Sequence, residues 1–159
     1  MNDVIPSNPT YDNGISAEEE QRVVKALHDV IEVNVASRDA LKGLAGDVED
    51  LTIAATLRTI AGQRQRQANE LQRFVDYERG DGENHLENTL EVLEQVVADD
   101  ESTHARLIRE LQQTEDRLAS IYQAAVQTTE GLSINGVLQR HLRNTQTQVG
   151  RLRNLEARF

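Results

Sequence analysis

The chain has 159 residues, and its 27 acidic and 17 basic side chains give a formal net charge of −10 at pH 7. This negative charge argues against non-specific nucleic-acid binding, which needs a basic face to displace counterions. There is no cysteine, which excludes disulfides, thiolate zinc sites, iron–sulfur clusters and cysteine nucleophiles. Alanine, leucine, glutamine, glutamate and arginine are abundant, a composition typical of helices.

The first 15 residues are polar and contain both prolines of the chain, Pro6 and Pro9. We predict that residues 1–15 form a flexible N-terminal arm. They have neither the positively charged start nor the apolar stretch of a signal peptide. No apolar run in the sequence approaches the roughly 20 residues that span a bilayer. The expectation is therefore a cytoplasmic protein that makes no membrane contact.

Residues 16–159 are predicted to form a single helical domain. The stretch "SAEE" is typical of a capping box with Ser16 as N-cap and Glu19 as its partner. "ERGDGEN" is the clearest break in the chain, and "ADDES" offers Asp99, Asp100 or Ser102 as a later N-cap. Helices are expected from 16 to about 45, from about 50 to 77, from 86 to 97, from "ADDES" to about 128, and from 134 to the end.

Each of the four long segments has an apolar stripe at helical spacing. Four long helices and one short one predict an all-α, antiparallel four-helix bundle. The short helix 86–97 is about 18 Å long at roughly 1.5 Å per residue, so it can return the chain toward the other end of the bundle. The predicted order is up, down, a crossover helix between the second and third long helices, down and up.

The long stripes become polar near their middle. In "LIRELQQTEDRLASIY", residues 107–122, the position that should continue the row of leucines is Glu115. The predicted polar core layer consists of Asn34, Arg38, Arg64, Gln67, Glu115 and Thr145. A lone buried carboxylate is very costly, and arginine can make two hydrogen bonds to one. We therefore predict that Glu115 accepts hydrogen bonds from Arg64, from Arg38 or from both.

Three stretches resemble a bacterial family of ferritin-like four-helix-bundle proteins of unknown function: "ALHDVIEVN", "AGQRQRQANELQRFV" and "RELQQTEDRLASIYQAAV". The resemblance covers about residues 20–158. The residues that match the family pattern are Gln63, Arg64, Glu70 and Leu71 in the second long helix and Glu115, Asp116 and Tyr122 in the third. Where the family usually has an acid in the first helix this chain has Arg38, and where a histidine is common near the end of the last helix it has Val149.

The resemblance implies a ferritin-like fold, and the wider superfamily holds a di-iron site between facing helices. The candidate metal ligands are Glu101, His104, Glu115 and His141. Glu101 and His104 have the i, i+3 spacing that places both side chains on one helix face, but they fall at the start of a helix. Because one central carboxylate beside one or two arginines would repel a dication, we expect no metal and no cofactor.

The sequence contains neither a nucleophile-elbow pattern nor a phosphate-binding glycine loop, so no residue is predicted to be catalytic. The favoured hypothesis is a non-catalytic structural or interaction protein, which includes a stress-related module acting through an oligomer. The alternative hypothesis is a ferritin-like metal-dependent oxidase or metal-storage protein. A protein partner or a second copy is expected at the apolar edge of helix 86–97, unless that helix simply covers the bundle.

Charge is unevenly distributed along the chain. Residues 76–101 contain ten acids and one arginine, whereas residues 133–159 contain five arginines and one acid. Two interpretations stay open at this point. These segments are solvated faces that favour docking on each other, or they form a charged interaction surface.

Overall fold

The computed structural model describes residues 16–75, 87–98 and 103–159. These residues form five α-helices and no strand: α1 Ala17–Asp47, α2 Leu51–Leu71, α3 Glu87–Ala98, α4 His104–Thr128 and α5 Ile134–Glu156. The prediction of an all-α protein is confirmed for this part of the chain. The predicted arm 1–15 and the break "ERGDGEN" lie outside the described residues.

The helix starts follow local capping chemistry. Ser16 Oγ accepts a hydrogen bond from the backbone N–H of Glu19 at 3.1 Å, as the "SAEE" pattern predicts. Asp50 Oδ1 caps α2 by accepting from the backbone N–H of Ile53 at 2.9 Å.

Two predicted helix boundaries differ from the structure. The N-cap of α4 is Thr103, whose Oγ1 accepts from the N–H of Arg106 at 3.1 Å. The predicted caps were Asp99, Asp100 or Ser102, but any of these residue types can cap, and position in the fold decides which one does. Helix α2 ends at Leu71 rather than near residue 77, and residues 72–74 form a turn.

The helices pack in pairs. The short connection at residues 48–50 makes α1 and α2 an antiparallel hairpin, and residues 129–133 connect α4 and α5 in the same way. Helix α1 also packs against α4, and α3 packs on α4 and α1. The buried stripes of all five helices belong to one hydrophobic core.

Helix α3 uses its apolar edge inside this core. Leu90, Leu93 and Val96 are buried, whereas Glu91 and Glu94 are exposed. The edge that the sequence offered to a partner is therefore covered by the chain's own helices α1 and α4.

None of the helices in the described ranges is both long enough and apolar enough to cross a bilayer.

Candidate functional site: a buried polar layer

Every long helix buries polar side chains in the core. The buried polar residues of the helices are Asn34 and Ser37 on α1, Arg64 and Gln67 on α2, Thr114 and Glu115 on α4, and His141, Thr145 and Gln148 on α5. The aromatic ring and hydroxyl of Tyr122 are fully buried among them. Buried polar groups are costly unless they are hydrogen-bonded, so the partners of each group decide what this layer does.

The first part of the layer is an ion pair between Arg64 Nη2 and Glu115 Oε2, with at most 2% of either side chain exposed. Arg64 also donates from Nε to Ser37 Oγ at 3.1 Å, so the guanidinium joins α1, α2 and α4. Burial lowers the pKa of Arg64 to about 10, which leaves it charged at pH 7. Arg64 Nη1 and Glu115 Oε1 find no hydrogen-bond partner within the described ranges.

The second part of the layer is centred on the hydroxyl of Tyr122. It accepts hydrogen bonds from Asn34 Nδ2 at 2.9 Å and from Gln67 Nε2 at 2.8 Å, and it lies 3.2 Å from His141 Nδ1. A phenol has one proton and two acceptor positions. Because both acceptor positions are used by amides, the hydroxyl donates its proton to His141 Nδ1.

This donation assigns the tautomer of His141. Since Nδ1 accepts, the imidazole proton is on Nε2, which donates to Glu70 Oε1 at 2.7 Å. The same carboxylate is paired with Arg140 through Oε2. A continuous chain of hydrogen bonds therefore runs from the partly exposed Glu70 through His141 to Tyr122 in the core.

The electrostatics agree with this arrangement. Burial is the main cause that lowers the pKa of His141, although the hydrogen bond and charge of Glu70 act in the opposite direction. Burial also raises the pKa of Tyr122. The hydrogen bond from Arg140 is the main cause that lowers the pKa of Glu70. At neutral pH the chain therefore contains a neutral phenol, a neutral imidazole and a charged carboxylate.

Five of the six residues predicted for the polar layer are buried in it: Asn34, Arg64, Gln67, Glu115 and Thr145. Thr145 makes no link between helices among the described residues, because its hydroxyl donates to the carbonyl of His141 in its own helix at 2.9 Å.

Arg38 differs from the prediction. Its side chain is 20% exposed and donates to Gln65 Oε1 at 2.6 Å and to Asp39. The preceding residue, Ser37, occupies the buried position beside Arg64. One residue turns the helix by about 100°, which moves Arg38 to the edge of the buried face.

The three candidate metal ligands within the described ranges, His104, Glu115 and His141, do not come together. Glu101 lies outside the described residues. His104 is exposed at the start of α4, with Nδ1 at 3.9 Å from Asp50 Oδ2, and its ring meets Phe159 edge-on at 5.3 Å. Glu115 is paired with Arg64 and His141 with Glu70. Throughout the described ranges, no three His, Cys, Asp or Glu side chains are grouped as a metal ion requires.

The layer predicted from the sequence omits four residues that complete it: Ser37, Glu70, Tyr122 and His141, the last of which is predicted only as a candidate metal ligand. Tyr122 lies on the same apolar stripe as Glu115, and a buried tyrosine hydroxyl usually needs a partner, so the stripe held a signal for it. Glu70 and Tyr122 also matched the family pattern. Their connection through His141 depends on how α2, α4 and α5 meet, which no single stripe encodes.

Compared with protein-family models, curated proteins and solved structures, the chain has no significant match in any of the three. The resemblance to ferritin-like proteins therefore stays a prediction.

Proposed function

We propose that this protein is a non-catalytic structural or interaction protein whose four long helices form a ferritin-like bundle. In this proposal, a salt-bridged polar layer occupies the level at which ferritin-like proteins hold di-iron. The observation that carries the proposal is the buried pair of Arg64 and Glu115. Glu115 is the one fully buried carboxylate among the described residues, and its Oε2 is taken by an arginine.

Charge supports the proposal. A metal ion bound by Glu115 would lie close to the guanidinium of Arg64, which stays protonated at pH 7 because its pKa is about 10. Two unit charges at 4 Å repel each other by about 4 kcal/mol at an effective dielectric constant of 20, and a dication doubles this repulsion. The layer is therefore better suited to link the helices to one another than to bind a metal ion.

The hydrogen bonds and the ion pair of the layer indicate which helices it links. Arg64 bridges α1 and α4 from α2, and Tyr122 bridges α1, α2 and α5 from α4. Most of these polar groups find their partners in this one arrangement of the helices, whereas Arg64 Nη1, Glu115 Oε1 and Gln67 Oε1 have no hydrogen-bond partner within the described ranges. A buried polar network of this kind adds little net stability but disfavours other packings, in which its members lose their partners.

The test is the metal content of the purified, tag-free protein. The protein is incubated with ferrous iron, desalted and measured by elemental mass spectrometry, together with the variant Glu115→Gln and the exposed control Glu91→Gln. We expect far less than one iron per chain and no difference among the three proteins. About two iron ions per chain, lost in Glu115→Gln and kept in Glu91→Gln, would contradict the proposal and favour the metal-dependent oxidase or storage hypothesis.

A further inference from the structure

Two surfaces of this protein have complementary charge and do not meet within one chain. The outer side of α3 exposes Glu91 and Glu94. The C-terminal half of α5 exposes Arg151, and the turn that follows α5 exposes Arg158. None of these four side chains forms an ion pair with another residue of the described ranges. Helix α3 packs on α1 and α4 instead. Glu91 and Glu94 are therefore not paired with Arg151 or Arg158 within one chain.

The two arginines border a groove between α2 and α5. The groove has a volume of about 650 Å³, and its lining includes Leu51, Thr52, Thr56, Arg151, Leu155 and Arg158. Leu51 is 83% exposed, which gives the groove an apolar end. Charged side chains next to exposed apolar surface are typical of a protein interaction site.

The groove is shorter than α3 and offers room for about two helical turns. The helical part of the lining runs from Leu51 to Thr59 on α2 and from Gln148 to Leu155 on α5, which corresponds to about 12 Å and about 10 Å of helix. Helix α3 has 12 residues and is therefore about 18 Å long. Its outer side also exposes Val92, at 37%, as an apolar counterpart to Leu51.

We propose that the acidic outer side of α3 docks in the α2/α5 groove of a second copy of this chain. Glu91 and Glu94 of one copy face Arg151 and Arg158 of the other, and Val92 contacts the apolar end of the groove. This inference rests on the proposed interaction role and names the partner. A second copy is the occupant because the chain itself supplies an acidic helix whose charge is complementary to that of the groove and whose middle two turns carry Glu91 and Glu94.

The position of the two surfaces defines the mode of assembly. Helix α3 lies on α1 and α4, whereas the groove lies between α2 and α5, so the donor and acceptor surfaces are different parts of the molecule. Such a contact is head-to-tail, and it produces rings or open chains rather than a two-fold dimer that buries one patch against itself. The average mass should therefore rise above that of a dimer as protein concentration rises.

The experiment is a charge exchange measured by size-exclusion chromatography with light scattering over a range of protein concentrations. One variant carries Arg151→Glu and Arg158→Glu, and the other carries Glu91→Arg and Glu94→Arg. Each variant alone opposes like charges, and we expect at least about tenfold weaker self-association than in the wild type, because several favourable pairs become repulsive. Circular dichroism checks that both keep their helices. If a reversal unfolds the chain, the neutral change Arg151→Gln/Arg158→Gln replaces it.

Restoration is the decisive part. An equimolar mixture of the two variants restores opposite charges at every contact, so it should assemble, and a chain with all four changes should self-associate again.

The control Arg117→Glu/Arg153→Glu changes the net charge equally on exposed positions outside the groove and should assemble as the wild type does. A wild type that stays monomeric, or variants that assemble unchanged, would overturn the inference. Self-association and iron content are independent measurements, so the iron measurement tests the proposed function separately.

Discussion

Arg64 is the largest fully buried side chain among the described residues, and its charge has to be compensated. Its partners are Glu115 and Ser37. Removing one member of a buried ion pair leaves the other charge without compensation, which typically costs about 3–5 kcal/mol, whereas replacing both by apolar groups of similar volume is often neutral. The pair therefore contributes to specificity more than to stability.

A double-mutant cycle tests this at the level of single residues. We expect Arg64→Met and Glu115→Leu each to lower the free energy of unfolding by about 3–5 kcal/mol, and the double variant to be more stable than either single variant. Urea unfolding followed by circular dichroism measures all three. The exposed control Arg153→Met should change the value by less than about 0.5 kcal/mol. Additive losses would mean that the two side chains act independently.

Tyr122 provides a second residue-level prediction. Tyr122→Phe removes a hydroxyl that accepts from two amides and donates to His141. Because it leaves buried donors and an acceptor with fewer partners, it should lower the free energy of unfolding by about 1–3 kcal/mol. Thr145→Val is the control, since that hydroxyl donates only within its own helix among the described residues. Equal losses in thermal melts of the two variants would argue against a central role for Tyr122.

At the level of elements, the connection between α4 and α5 combines a left-handed glycine with side-chain capping. Gly131 has φ of +80°, a conformation that glycine adopts without strain and other residues do not. Asn135 Nδ2 donates to the carbonyl of Val126 at 2.8 Å, and Thr129 Oγ1 donates to the carbonyl of Ala125 at 2.8 Å. Both carbonyls also accept from the backbone N–H of Thr129, so these side-chain donors add a second hydrogen bond to each carbonyl at the end of α4.

Two glycine substitutions with opposite expected effects on stability test this connection. A Cβ at Gly131 or at Gly150 meets no atom within 4 Å, so each alanine acts through the backbone alone. Gly131→Ala forces a side chain into the left-handed region and should cost about 1–2 kcal/mol. Gly150→Ala, inside α5, should stabilise by about 0.5–1 kcal/mol because alanine favours the helix. Differential scanning calorimetry measures both, and shifts of the same sign would contradict the assignment of the turn.

At the level of the whole molecule, the contact of α2 with α5 makes stability depend on pH. The charged and titratable groups that meet there are Glu70, His141, Arg140 and Tyr122. The folded pKa of His141 lies below its ordinary value of 6.5, so below pH 6.5 the unfolded state binds more protons at this histidine than the folded state does. Its contribution to stability is complete above pH 6.5 and is lost as the pH falls below it.

Glu70 acts in the same direction at lower pH. Its folded pKa is below the ordinary value of 4.5, so its contribution is present above pH 4.5 and is lost as the pH falls through the folded pKa. We expect the melting temperature to fall from pH 7 to pH 5. His141 should lower the free energy of unfolding by at most about 1.4 kcal/mol for each pH unit. Thermal melts of the wild type and of His141→Gln measure this, and the variant should show a weaker pH dependence over that interval. Identical pH profiles of the two proteins would exclude His141 as the cause.

Sequence periodicity alone was enough to place Glu115 in the core. Its position on a row of leucines fixes the side on which it lies, because neighbours three and four residues away on a helix share one face. The same reasoning placed Asn34, Arg64, Gln67 and Thr145. Periodicity did not place Arg38 correctly. A long side chain at the border of a helix face can point into the core or into solvent, and the packing of its neighbours decides which.

The sequence by itself determined the helical class, the helix starts at Ser16 and Asp50, and the polar character of the core level, because composition, capping and periodicity act over a few residues. The tertiary structure alone decided that Glu115 pairs with Arg64 and that Tyr122, His141 and Glu70 form one chain of hydrogen bonds. Those contacts join residues on different helices. Their partners depend on how the helices are rotated and staggered against one another, which the packing of the whole core sets.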